Sequence, residues 1–153
     1  MKFQKILISA CLLGEDVKYN GDNNDIRDNG LIKKLFNLGM LVPVCPEVEG
    51  GLPIPRVAVE LQNGKAIDKH GNDKTKDFQK GATLACEIAR KENIKVALMK
   101  SRSPSCGKSF IYDGTFSKRL IKGHGISIKA LENSGIKVFD ENSLKELALF
   151  LNK

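Results

Sequence analysis

The segment Val96–Ser109 reads V-A-L-M-K-S-R-S-P-S-C-G-K-S, an apolar run that leads into a polar loop with a cysteine. Four consecutive apolar residues between polar flanks predict a short strand that is buried on both faces. Similar runs occur at Ile6–Ser9, Met40–Val44 and Ile136–Phe139. Strands of this kind are typical of parallel sheets that are covered by helices on both sides.

Segments with helical periodicity separate these apolar runs. Helices are predicted over Asp25–Leu38, Thr75–Glu92, His124–Asn133 and Ser143–Leu151. The last helix starts with a serine that has Glu146 three residues later, which is the pattern of a capping box. The alternation predicts an α/β fold with a mostly parallel, Rossmann-like sheet flanked by helices.

A small β-hairpin insertion is predicted in the middle of the chain. Val57–Leu61 and Lys65–Asp68 flank the tripeptide Gln62-Asn63-Gly64, and Asn-Gly is a strong hairpin signal. At 153 residues the chain is long enough for one domain with a proper core and short for two. We therefore expect residues 1–153 to form a single domain.

The N-terminal segment M-K-F-Q-K-I-L-I-S-A-C-L-L-G combines a basic start with an apolar run, as a signal peptide does. Its apolar core is short, is interrupted by Ser9 and leads into Gly14, Glu15 and Asp16, which fits a buried first strand better. No stretch approaches the roughly 18 apolar residues of a membrane span. We expect a cytoplasmic protein without a membrane partner.

The net charge of +7 favours anionic partners. The lysines are scattered along the chain, however, and no arginine-rich run or set of base-stacking aromatic residues accompanies them. Solvated basic helix faces therefore explain the positive charge better than nucleic-acid binding, which stays possible but is not favoured. The sequence indicates no particular oligomeric state.

Three of the four cysteines follow predicted strands. Cys11 comes after the first strand, Cys45 ends the second and Cys106 lies in the loop after the third. The carboxyl ends of parallel strands share one edge of the sheet, so we expect these cysteines to converge there. Cys86 lies inside a predicted helix near its apolar face, where a small buried thiol is the expected role.

The loop after the third strand also ends in Gly-Lys-Ser, which resembles a phosphate-binding loop. That motif requires a glycine five residues before Gly107, where this chain has Arg102. Pro104 removes a backbone donor from the phosphate cradle, and F-I-Y-D-G after Ser109 reads as strand and turn instead of helix. The cysteine interpretation is therefore favoured over phosphate binding.

Three cysteines at one sheet edge form an incomplete ligand set. A structural zinc site uses four ligands, whereas a catalytic zinc or an iron-sulfur cluster can keep one position open. His70 and His124 could supply a fourth ligand, but their positions in a turn and between glycines favour surface roles. The residues alone leave zinc and iron-sulfur chemistry open.

Five segments together resemble the thiouracil desulfidase family, long classed as a domain of unknown function. They are, in this order, I-S-A-C-L-L-G, K-Y-N-G, C-P-E-V-E-G-G-L-P-I-P-R, S-P-S-C-G and I-Y-D-G-T-F, and the resemblance covers the chain from Ile6 to about Gly135. The resemblance implies a 4Fe-4S cluster held by Cys11, Cys45 and Cys106, with one iron not ligated by protein. It implies an enzyme that replaces the thiocarbonyl sulfur of a thiolated pyrimidine such as thiouracil with oxygen, without net electron transfer, and releases sulfide.

The same resemblance assigns roles to further residues. It places the acidic catalytic residue at Glu47 and the catalytic serine at Ser103. Candidates for substrate binding are Tyr19, Asn20, Asp113 and Arg56, with turn formation as the alternative for Asn20-Gly21 and Asp113-Gly114. The expected partner is a small thiolated nucleobase.

The chain departs from the family pattern at three places. It has Lys18-Tyr19-Asn20-Gly21 where Arg-Tyr-Asp-Gly is common, Ser101 where glutamate is common, and Val59 where proline usually precedes Glu60. Two other classes therefore remain: an enzyme that handles sulfur on tRNA bases, and a zinc-binding or redox-sensing cysteine module. Against the first, the chain has neither an adenylating loop nor an added RNA-binding domain.

Overall fold

The structure is a computed structural model and describes residues 4–152. Residues 1–3, which belong to the segment considered as a signal peptide, and Lys153 lie outside the described residues. The strands are β1 (Ile6–Ser9), β2 (Leu41–Val44), β3 (Val59–Gln62), β4 (Lys65–Asp68), β5 (Val96–Met99), β6 (Phe110–Tyr112), β7 (Leu120–Lys122) and β8 (Lys137–Asp140). The helices are α1 (Gly30–Asn37), α2 (Pro46–Glu49), α3 (Thr75–Lys91), α4 (Ile126–Asn133) and α5 (Leu144–Leu151), and a 3-10 helix covers Ala10–Leu13.

The four predicted apolar strands form one parallel sheet in the order β2-β1-β5-β8. Side chains alternate between two cores. Ile8 and Leu98 pack with α1 and α5 on one face, and Leu7 and Ala97 pack with α3 and α4 on the other. Because both faces are covered, the strands need no polar alternation, which is why they read as continuous apolar runs. The predicted α/β fold is confirmed.

The first helix starts later than the periodicity predicted. It begins at Gly30 instead of Asp25, because the Asn29 side chain accepts hydrogen bonds from the backbone N–H groups of Leu31 and Ile32 and caps the helix there. Asp25 is engaged in a turn in which its carboxylate accepts from the Arg27 backbone. The prediction over residues 25–29 was therefore wrong.

The start of α4 and the capping of α5 also differ from the prediction. α4 begins at Ile126, because Gly125 is extended and the imidazole of His124 accepts a hydrogen bond from the Ser109 backbone. The capping box at Ser143 is absent from the described residues. The Ser143 hydroxyl accepts a hydrogen bond from the backbone N–H of Asp140 and does not cap α5.

Two small antiparallel hairpins stand beside the main sheet. The predicted β3–β4 hairpin is confirmed, with Asn63 and Gly64 both in the left-handed conformation that a tight two-residue turn requires. β6–β7 is a second hairpin, of which only the first strand was predicted. All three residues of β7 are exposed, so no pattern of burial marks it in the sequence.

Two short helical turns follow β1 and β2 directly. The 3-10 helix Ala10–Leu13 continues from β1, and α2 starts with Pro46 in its first turn. Neither was predicted, because four residues are too few to show a helical period. Within residues 4–152, no helix combines the length and the apolar character that crossing a bilayer demands.

Candidate functional site

A cavity of about 530 Å³ opens at the carboxyl edge of the parallel sheet. Its floor comes from the residues that directly follow three strands: Cys11 after β1, Cys45 after β2 and the segment Lys100–Cys106 after β5. The two hairpins also contribute to the lining through residues such as Glu60 and Phe116. This is the position at which open α/β sheets usually bind ligands.

Cys11, Cys45 and Cys106 all line this cavity. Cys11 lies in the 3-10 helix, Cys45 directly precedes α2, and Cys106 is buried in the loop after β5. Cys86 is separate: it lies in α3, outside the cavity lining, and its sulfur accepts a hydrogen bond from the Ser134 hydroxyl at 3.7 Å. The chain fold thus brings together the three cysteines that follow strands and leaves the fourth elsewhere.

The surroundings of the three thiols resist ionisation. Burial raises the pKa of both Cys11 and Cys45, and it raises the pKa of Cys106 to about 12, with a further contribution from the charges of Cys45 and Cys11. The Asn24 amide donates to Cys11 Sγ at 3.5 Å, and Ser105 Oγ lies 3.5 Å from Cys106 Sγ. Sulfurs with polar groups beside them suit thiolates that bind a cationic centre, because metal binding releases the thiol protons.

The three cysteines of the cavity are not arranged as the ligands of a single metal ion. Among residues 4–152, no group of three or more His, Cys, Asp or Glu side chains is placed to hold a single metal ion. A four-iron cluster makes a different demand, because each cysteine binds a different iron, whereas a single ion draws all its ligands to one point. Three thiols spread around one cavity fit the cluster.

Glu47 is held in α2 by two partners on opposite sides. Its Oε1 accepts from Arg56 Nε at 3.2 Å, in an ion pair whose side chains are only 13% and 6% exposed. Its Oε2 accepts from the Ser105 hydroxyl at 2.8 Å. Arg56 is itself fixed by bonds to the carbonyls of Val17 and Pro53. A fixed carboxylate therefore faces the cavity two residues after Cys45.

Ser103 and Ser105 form a hydroxyl pair next to Glu47. Their Oγ atoms are 3.0 Å apart, and Ser103 Oγ also accepts from the backbone N–H groups of Ser105 and Cys106. Ser105 connects Ser103 to Glu47, a contact that the sequence analysis did not predict. The two serines in S-P-S-C-G were the available signal, but the sequence does not show which of them reaches the carboxylate.

A second ion pair involves Lys100, which also lines the cavity. Lys100 Nζ is 2.9 Å from Glu141 Oε2, and the same carboxylate accepts from the backbone and hydroxyl of Ser101. Burial opposes ionisation of Glu141, but the hydrogen bonds from Lys100 and Ser101 outweigh it and lower its pKa. Lys100, which lines the cavity, is therefore a fixed cation whose charge offsets part of the increase that burial causes in the pKa of Cys11.

The structure brings only some of the predicted substrate-binding residues to the cavity. Tyr19 and Arg56 line it. Asn20 and Asp113 are not among the lining residues, and their side chains accept hydrogen bonds from Asp22 and Thr115 within local turns. The contacts of these two side chains are therefore those of turn residues, which was the alternative to substrate binding. His70 and His124 are also absent from the lining.

Three comparisons relate the chain to known proteins. The family model described as 2-thiouracil desulfurase matches residues 6–143. The uncharacterized protein YbbK of Bacillus subtilis (strain 168) is 34% identical over 152 residues, which covers 93% of this chain and 99% of that protein. The solved structure of the 4Fe-4S-dependent thiouracil desulfidase TudS superposes with a TM-score of 0.94 at 41% identity, covering 97% of this chain and 98% of that one.

These matches extend over nearly the whole chain and include the loops that build the cavity. The family model begins at the first residue of β1 and ends just before α5, so it spans all three cysteines of the cavity. The high TM-score shows that the sheet and both hairpins have counterparts in a solved structure. The chain belongs to the 2-thiouracil desulfurase family.

Proposed function

We propose that this protein is a 4Fe-4S-dependent desulfidase that replaces the thiocarbonyl sulfur of thiouracil with oxygen from water. The observation that carries the proposal is the cavity itself, which is lined by three thiols from separate strand ends, two buried and that of Cys45 partly buried, together with a fixed carboxylate and a hydroxyl pair. Membership of the family and the likeness to TudS support the same activity. The cavity volume of about 530 Å³ suits a pyrimidine-sized ligand.

We assign Cys11, Cys45 and Cys106 as the cluster ligands, which leaves one iron without a protein ligand. When bound, the cluster supplies a Lewis acid for the thiocarbonyl sulfur. Three thiolates and a 2+ cluster core have a net charge of about −1, so nearby cations stabilise the loaded site. Lys100 and Arg56 are positioned for this: burial raises the pKa of Cys11 and of Cys45, and the charges of Lys100 and Arg56 respectively offset part of that increase.

Glu47 is the proton acceptor in this proposal. Its carboxylate takes a proton from the water whose oxygen bonds to the thiocarbonyl carbon, and the carbon-sulfur bond then breaks. Both protons of the water leave with the sulfide, so that thiouracil and water give uracil and hydrogen sulfide without net electron transfer. Arg56 orients the carboxylate through the hydrogen bond from its Nε to Glu47 Oε1.

Ser103 carries a proton between Glu47 and the substrate. Its hydroxyl is 3.0 Å from that of Ser105, which in turn donates to Glu47 at 2.8 Å. Because Ser105 donates its only hydroxyl hydrogen to Glu47, Ser103 donates its own hydrogen to Ser105 Oγ, and this chain of hydrogen bonds leads a proton from the cavity to the carboxylate. Tyr19 lies at the cavity as a contact for the base. The proposal gives no substrate contact to Asn20 or Asp113.

We also propose a reducing compartment, the cytoplasm, as the site of action. All four cysteines are free thiols, and iron-sulfur chemistry requires that the ligands stay reduced.

A matched pair of cysteine variants tests the cluster ligands. Anaerobically reconstituted wild-type protein is expected to release sulfide from 2- or 4-thiouracil and to absorb broadly near about 400 nm, as iron-sulfur proteins do. Cys45→Ser is expected to lose iron and sulfide release, while Cys86→Ser, outside the cavity, retains both. A fully active Cys45→Ser variant contradicts the ligand assignment, and wild-type protein that is loaded with iron but inactive contradicts the reaction.

A second matched pair tests the carboxylate. Glu47→Gln is expected to retain iron and the visible absorption while sulfide release falls by about 100-fold or more, in the range of general acid-base catalysis. Glu49→Gln serves as the control, because Glu49 lies in the same short helix but is exposed. Equal activity of the two variants contradicts the role of Glu47.

A further inference from the structure

Glu60 of β3 lines the cavity and holds down the tip of the neighbouring hairpin. Its Oε1 accepts hydrogen bonds from the backbone N–H groups of Gly114 and Phe116, each at 3.0 Å. Both donors belong to the turn between β6 and β7. One carboxylate oxygen thus fixes the loop that forms the outer wall of the cavity.

The other oxygen of Glu60 has no donor among residues 4–152. Neither a hydrogen bond to Oε2 nor an ion pair within 4.0 Å is formed there. Glu47, the other carboxylate of the cavity, differs in this respect, because each of its oxygens already has a donor. Glu60 is partly buried, and its Oε2 is not among the fully buried unpaired side-chain atoms, so this oxygen is accessible to a hydrogen-bond donor that enters the cavity.

The loop that Glu60 holds presents an aromatic ring to the cavity. Phe116 lines the cavity in a left-handed backbone conformation with φ of 58°, which its hydrogen bond to Glu60 helps to maintain. The Gln62 side chain adds a second attachment, donating to the Gly114 carbonyl at 2.8 Å. A flat aromatic surface beside an unpaired acceptor matches the face and the edge of a heterocyclic base.

We propose that Glu60 is a specificity-determining residue, whose Oε2 accepts the N3–H of the pyrimidine while its Oε1 positions Phe116 against the ring. This rests on the proposed function and names the group by which that site selects its substrate. Thiouracils with sulfur at C2 or at C4 both carry N3–H next to the thiocarbonyl, so one acceptor serves both. A base without a hydrogen on N3 leaves the carboxylate unpaired and is rejected.

The test measures binding of the product, which undergoes no turnover. Equilibrium dialysis of the cluster-loaded protein with uracil, 1-methyluracil and 3-methyluracil is expected to give similar affinities for the first two. The third, which lacks N3–H, is expected to bind about 10- to 100-fold more weakly, the range for a hydrogen bond to a charged group. In Glu60→Gln the amide oxygen still holds the loop, but a donor replaces Oε2, so that uracil binding falls to the level of 3-methyluracil.

Gln62→Ala is the matched control for the loop. It removes an attachment of the same hairpin tip without touching the carboxylate. Because Gln62 contacts the loop and leaves Glu60 intact, Gln62→Ala is expected to weaken the binding of all three ligands by the same factor and to keep their ranking. Loss of the ranking in Glu60→Gln together with its retention in Gln62→Ala supports the proposal.

Three results overturn it: equal binding of 1-methyluracil and 3-methyluracil, wild-type affinity for uracil in Glu60→Gln, or no uracil binding to the wild-type protein. Sulfide release from thiouracil by the wild-type protein is measured in parallel. If that reaction is present while the ranking is absent, the role of Glu60 fails and the proposed function stands. If the ranking is present without the reaction, the base site stands and the proposed function fails.

Discussion

Gly81 allows the helix that carries Glu47 to lie against α3, and Gly81→Ala therefore tests how the site is positioned. A Cβ at residue 81 would lie 1.8 Å from the Pro46 carbonyl oxygen, and one at Gly50 would lie 2.0 Å from the Asp77 carbonyl oxygen. Ordinary contact starts at 3.4 Å. Both obstacles are backbone atoms, so α2 would have to move away from α3 by about 1.6 Å.

The cost of that movement follows from two opposing terms. Overpacking at a rigid contact costs about 1–3 kcal/mol, and this contact lies at the upper end because no flexible side chain can yield. Alanine in place of glycine within a helix returns about 1 kcal/mol. The expected net loss in the free energy of unfolding is about 2 kcal/mol.

The effect on activity is expected to be larger than the effect on stability. Pro46 lies between Cys45 and Glu47, so a shift of α2 lengthens the 2.8 Å bond between Ser105 and Glu47 beyond hydrogen-bonding distance. A misplacement of about 1 Å in a catalytic group can cost about 100-fold in rate. We therefore expect sulfide release to fall by about that factor.

Urea denaturation and sulfide release measure the two effects. Gly30→Ala is the control, because Gly30 starts α1 and a Cβ there meets nothing within 4 Å. It should unfold at the wild-type urea concentration or slightly above and keep full activity. If Gly81→Ala matches Gly30→Ala in both measurements, the close contact between α2 and α3 does not position the site.

Three further predictions concern the polar contacts around the cavity. Ser105→Ala should keep the cluster absorption but lower sulfide release by about tenfold, since Glu47 loses a donor; unchanged turnover would show that the contact is dispensable. Arg56→Lys should lower the free energy of unfolding by about 1–3 kcal/mol in urea titrations, because an ammonium cannot reproduce the three bonds of the guanidinium; wild-type stability would contradict this. Glu141 has a lowered pKa in the folded protein, so its ionised form stabilises the protein at neutral pH, and this contribution disappears as the pH falls from its ordinary value of 4.5 through the folded value. Glu141→Gln should therefore be less stable than wild type at pH 7 by about 1 kcal/mol, and the difference should shrink in acid; a difference that grows in acid would reverse the sign.

The sheet and the placement of the cysteines could be predicted because they depend on local apolar pattern and on topology. Ile6–Ser9 and Val96–Met99 are apolar throughout since helices cover both faces, and this leaves a clear signal. Once the strands are parallel, the residues after them must share an edge. Cys11, Cys45 and Cys106 therefore meet at one cavity although 34 and 61 residues separate them in sequence.

The contacts within the site could not be predicted, because they depend on how closely separate elements approach. Nothing in the local sequence shows that Gly81 faces Pro46, or that Ser105 and not Ser103 donates to Glu47. The side chains of Asn20 and Asp113 could form turns or face a ligand, and only the tertiary structure distinguishes the two. Spacing along the chain determines the neighbourhood of a residue, whereas its rotamer and its partners depend on packing.

The residues proposed for the reaction and those proposed for substrate selection lie in different parts of the fold. The residues proposed to bind the cluster and to move protons lie in or next to the loops that end the parallel strands, so their approximate location follows from the fold. Glu60 and Phe116 come instead from two hairpins, and they meet through hydrogen bonds between residues 56 positions apart. Because the hairpins stand outside the main sheet, changes in them can alter base recognition without moving the cysteines. Divergence in substrate among related chains is therefore expected in the hairpins more than in the strand-end loops, and the choice of base by a relative should follow the residue at the position of Glu60.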